Sequence, residues 1–87
     1  MRPPNVQVFT NEPMKISHIS DGARLAVYAV DGTEIYNRVP SEGEAFVRID
    51  SNQYPVTIRV RKEGYVPLVL HGLENGNLTI QHQPEDI

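Results

Sequence analysis

The chain has 87 residues, 39% of them hydrophobic, and its 11 acidic and 8 basic side chains give a net charge of −3. That length suits one domain rather than two, and the mildly acidic balance argues against nucleic acid or an anionic membrane surface as partner. The chain has no cysteine, which excludes disulfide staples, thiol nucleophiles and Cys-type zinc sites, and no apolar run approaches the roughly 20 residues of a membrane-spanning helix.

A domain of this size buries only about 60% of the surface its unfolded chain exposes, so every strand must serve one shared core. Residues 1–5 contain Arg2, two prolines and Asn5, with no apolar stretch of the kind a secretory leader needs. A flexible arm is expected there, followed by one domain over residues 6–82 and a polar tail over 83–87. Residues 6–9 and 15–19 each read as a strand, separated by Asn11, Glu12 and Pro13.

The longest alternating run covers residues 23–30. Ala23, Leu25, Val27 and Ala29 share one face, and Arg24, Ala26, Tyr28 and Val30 share the other. A wholly apolar side opposite an amphipathic one is the pattern of a strand in a two-layer structure. Asp31-Gly32 then supplies hairpin-turn chemistry. Residues 34–39 read as the return strand, with Ile35 and Val39 inward. Residues 40–43 turn the chain again. Residues 44–50 alternate, with Ala45, Val47 and Ile49 inward and Phe46, Arg48 and Asp50 outward.

After a polar connection at 51–55, residues 56–62 form a further strand, with Val56, Ile58 and Val60 inward and Thr57, Arg59 and Arg61 outward. Glu63-Gly64 is the next turn. Residues 65–70 carry Pro67, which cannot donate a ladder hydrogen bond and so marks an edge or a bulge. Asn75-Gly76 signals another turn before a last strand over 78–82, with Leu78 and Ile80 inward. No window sustains a helical period, and turns recur at roughly the 8–12-residue spacing of a sandwich or barrel.

Residues 22–67 resemble the transthyretin-like, carboxypeptidase-regulatory-like β-sandwich. The likeness rests on Gly22 ahead of Val27-Tyr28, the Asp31-Gly32 turn and the turn at Ser41-Glu42-Gly43-Glu44-Ala45. It also rests on the strand from Pro55 through Val56 and Val60 to Lys62, and on Glu63-Gly64-Tyr65-Val66-Pro67. It covers about half of the chain and implies an all-β Greek-key β-sandwich of about seven strands. Small sandwiches of this kind without a leader also occur as structural parts of bacteriophage particles, in heads, necks and tails. That setting implies a virion location with assembly in the host cytoplasm, against a plainly cytoplasmic alternative.

The chemistry-bearing residues give little support to catalysis. His18, His71 and His82 have no metal-ligand spacing, Ser17 and His18 are adjacent and would point to opposite faces of a strand, and there is no Gly-x-Ser-x-Gly elbow or Gly-rich phosphate loop. Asp21 and Asp31 sit before glycines, where turn chemistry accounts for them. The expectation is a non-enzymatic protein with no cofactor and no bound metal. It would act on protein partners, either as a homo-oligomer or as a decorating subunit.

Two outward sets stand out as candidate contacts: the aromatics Tyr28, Tyr36 and Phe46, and the cations Arg59 and Arg61 with Arg24, Arg48 and Lys62. Arg2 joins them from the arm. Exposed aromatics and arginines are enriched in protein interfaces. A carbohydrate- or small-ligand-binding module, with Tyr54 beside Asn52 and Gln53, is the alternative, and an adaptor subunit of a larger complex is a third reading.

Overall fold

A computed structural model describes residues 13–74 and 76–85. Among these the chain is all-β, with seven strands: β1 (Met14–Ser17), β2 (Arg24–Tyr28), β3 (Glu34–Arg38), β4 (Ala45–Val47), β5 (Val56–Arg61), β6 (Leu68–Leu73) and β7 (Leu78–Thr79). A single 3-10 turn, Ser51–Gln53, lies between β4 and β5. The expected strand at residues 6–9 and the arm at 1–5 fall outside the described residues.

The strands form two sheets, one in the order β4-β1-β7 and the other in the order β3-β2-β5-β6. One core joins them. Ile16 from β1 and Val47 from β4 pack with Leu25 and Val27 from β2 and with Val56, Ile58 and Val60 from β5. These seven are the largest fully buried side chains, and each stabilises the fold by about 1.5–3 kcal/mol. They are alternate residues of their strands, so the period-two pattern places them on one side of each sheet. The inward sets read from residues 23–30, 44–50 and 56–62 all lie in this core, including Ile49 beyond the end of β4.

β3 departs from simple alternation. Val27 stands opposite Tyr36, but Tyr28 stands opposite Glu34, so Ile35 is an extra residue in β3. A bulge of this type resets which face the following residues take. Tyr36, expected outward, therefore shares the face of Val27 and packs against the core. Val39, expected inward, is 49% exposed.

β6 begins at Leu68 rather than at residue 65, directly after Pro67, and it runs on to Leu73. Proline has no N–H to offer a ladder, which accounts for the late start. β1 pairs antiparallel with β4 and parallel with β7. Ile80 extends that contact by donating its N–H to the Ser17 carbonyl at 2.9 Å. The polar residues after β7 are tied down as well: Val66 N–H donates to the Gln83 carbonyl at 2.8 Å and Glu85 N–H to the Gly64 carbonyl at 2.9 Å. Backbone hydrogen bonds need no apolar side chains, which is why residues 83–85 read from sequence as a loose tail.

Candidate interaction surface

The outer face of the four-stranded sheet gathers positive charge. Antiparallel partners project to the same face. Arg24 stands directly opposite Arg61, Ala26 opposite Arg59, and Tyr28 opposite Thr57. Arg24, Arg59, Arg61 and Lys62 line one open concavity of about 590 Å³, in which Glu63 is the single acid. Arg24 Nη1 donates to Asn37 Oδ1 at 2.8 Å. Lys62 Nζ sits 5.0 Å from the centre of the Tyr65 ring. Among the described residues none of these four cations has a carboxylate within 4.0 Å; the ion pair found there, Lys15–Glu44 at 3.7 Å, lies on the other sheet.

Among the described residues the same sheet ends at β3 on one side and β6 on the other. β3 carries Glu34 and Arg38, whereas β6 reads Leu-Val-Leu-His-Gly-Leu with no formal charge. Edge strands normally carry charge or proline to block further pairing. On β6 the only such guard is Pro67, one residue ahead of its start. Val69, on the outer face opposite Arg59, is 43% exposed, and Leu68, Leu70 and Leu73 are half-buried against the core.

The candidate residues read from sequence fall in different places. Tyr28, Arg59 and Arg61 share the outer face of the four-stranded sheet. Phe46 is 59% exposed on the outer face of the three-stranded sheet, opposite Lys15. Tyr36 lies on the core side, with the Arg38 guanidinium 5.8 Å from its ring centre. Arg2 lies outside the described residues. The three aromatics therefore form no common patch, whereas the cations do. Pro67 marks an edge or a bulge in the sequence, and the uncharged run that follows it is the edge strand β6.

The histidines are scattered. His71 Nδ1 is 3.3 Å from Thr57 Oγ1 on the sheet face. His18 occupies a left-handed backbone conformation, φ 63°, just after β1. His82 bridges loops: its Nε2 is 3.0 Å from the Val66 carbonyl, its Nδ1 is 3.1 Å from Ser20 Oγ, and its ring lies 4.7 Å from that of Tyr65. Among the described residues no three His, Asp or Glu side chains converge as metal ligands would. The Asp31 carboxylate accepts the Thr33 N–H at 2.9 Å, and this bond, followed by the Thr33 side chain, holds it below the ordinary carboxylate range. Burial, and then the nearby Glu74 charge, push the Tyr54 hydroxyl above its usual value.

Comparison of the chain with protein-family models, with curated proteins and with solved structures finds no match. The reading of this surface therefore rests on its own chemistry. It offers an uncharged strand edge beside a cationic face.

Proposed function

We propose that the chain is a non-enzymatic assembly module: a Greek-key β-sandwich of the transthyretin-like type that joins copies of itself, or a neighbouring subunit, as a structural part of a bacteriophage particle. The observation that carries the assembly reading is β6, a six-residue sheet edge with no charge of its own. An incoming strand gains its affinity there from backbone hydrogen bonds and needs no special side chains. It would also cover Leu68 and Leu70, which the fold leaves half-buried. The sequence resemblance over residues 22–67 supports the topology and the virion setting, and the two-sheet architecture is compatible with both.

The test is solution mass by light scattering over a wide concentration range, for the native chain and for Val69→Lys. Val69 projects outward, so lysine there guards the edge without entering the core. The native chain is expected to form a defined oligomer or to grow with concentration, and the variant to remain a folded monomer. A native chain that stays monomeric at high concentration overturns self-assembly through β6.

A further inference from the structure

We infer that the outer face of the four-stranded sheet is a docking surface for an acidic segment of a partner protein, whose carboxylates pair with Arg24, Arg59 and Arg61. This names a partner chemistry for the module proposed above, but it stands on a sheet face rather than on the β6 edge.

Like charges directly opposite one another on a sheet are destabilising, yet Arg24 faces Arg61 across the β2–β5 ladder, with Arg59 two residues along the same strand. Composition does not force the crowding: the chain carries a net charge of −3, and four of its eight Lys and Arg side chains line this one concavity. A sheet face of solvated charge normally intersperses signs so that cross-strand pairs attract. Here Glu63 is the lone acid in the lining, and among the described residues no carboxylate pairs with any of the four cations.

Three of the four cations are arginines. The guanidinium is a rigid fork of five donors that matches a carboxylate two bonds at a time. Asn37 takes one donor of Arg24 and so fixes the direction of that fork, leaving its other donors for an incoming group. Ala26, between Asn37 and Arg59 in the pairing, is small and almost fully covered. The floor of the face is therefore low and its walls are cationic. Tyr65, beneath Lys62, gives one wall an apolar side.

The net negative charge of the chain favours a short acidic stretch over a long polyanion. Screening confines the attraction to about 8 Å at physiological salt, and beyond this patch a polyanion meets a surface that is negative on balance.

The probe is a fluorescent peptide of alternating Glu and Ser, with an alternating Gln-Ser peptide and an oligothymidylate of equal charge as comparisons, read by anisotropy. The Glu-Ser peptide is expected to bind in a salt-dependent way and the Gln-Ser peptide not to bind. The double variant Arg59→Gln/Arg61→Gln is expected to weaken binding roughly tenfold while melting at or above the native temperature, because it relieves the Arg24–Arg61 repulsion. Arg61→Lys keeps the charge, loses the fork, and is expected to fall in between. Equal binding of both peptides, unchanged affinity in the double variant, or tighter binding of the oligothymidylate would each overturn the proposal. Repeating the measurement on the native chain at concentrations below and above the onset of self-association separates the two readings, because peptide binding is expected to persist whether or not the edge self-associates.

Discussion

Ser20 and His82 meet through a 3.1 Å contact between Ser20 Oγ and His82 Nδ1, although 62 residues separate them in sequence. The other ring nitrogen, Nε2, faces the Val66 carbonyl, which can only accept. Nε2–H is therefore the donor, and in the neutral ring Nδ1 receives the Ser20 hydroxyl proton. One side chain thus ties the loop before β2 to the loop before β6, at the end of the sheet where Arg24 and Arg61 stand. Replacing His82 with alanine is expected to cost about 1–3 kcal/mol, seen as a lower melting temperature, and to speed amide exchange at residues 64–66 and 83–85. Unchanged exchange there would show that the backbone bonds hold the loops without the ring.

Tyr36 and Phe46 are expected to answer a charge substitution in opposite ways. Phe46→Lys places charge on an exposed site and should leave stability within about 0.5 kcal/mol, whereas Tyr36→Lys puts charge against the core and should lower the melting temperature sharply. Thermal melts of the two variants side by side decide it, and equal melts would refute the bulge at Ile35.

Gly43 has φ +72°, and a Cβ there would stand 3.1 Å from the Ile19 carbonyl oxygen. Its own carbonyl accepts the Ile19 N–H at 3.0 Å, so the two backbones cannot easily part. Gly43→Ala is expected to destabilise by about 1–2 kcal/mol from the left-handed conformation alone. Gly32→Ala is the control: it has the same sign of φ with open space around it, and should lose less. Denaturant midpoints compare the two.

Asp31 titrates below its ordinary value of 3.8, chiefly because its carboxylate accepts the Thr33 N–H. A carboxyl whose folded value is depressed adds stability that is fully present above the unfolded value and is lost as pH falls through the folded one. The Asp31–Thr33 turn is thus expected to tighten the hairpin at neutral pH and to release it in acid. Carboxyl-carbon NMR titration should place the Asp31 midpoint below 3.8, and a midpoint at or above that value would refute it.

Much of this architecture is written into neighbouring residues. The alternation of Leu25 with Val27, and of Val56, Ile58 and Val60, marks the core face of β2 and β5, because successive strand residues project to opposite sides. Asp31-Gly32 and Glu63-Gly64 mark turns, because glycine takes positive φ without strain.

What lay beyond reach depends on pairing between distant segments. The bulge that turns Tyr36 inward is a mismatch of β3 against β2, visible only once the register is fixed. The parallel contact of β1 with β7 and the meeting of His82 with Ser20 each join residues about 60 apart. Arg24 and Arg61 read from sequence as members of one outward cationic set, with no indication of which stands beside which. Only the β2–β5 register sets them face to face, because hydrogen bonding between strands, not the order of residues within either one, decides which side chains share a surface.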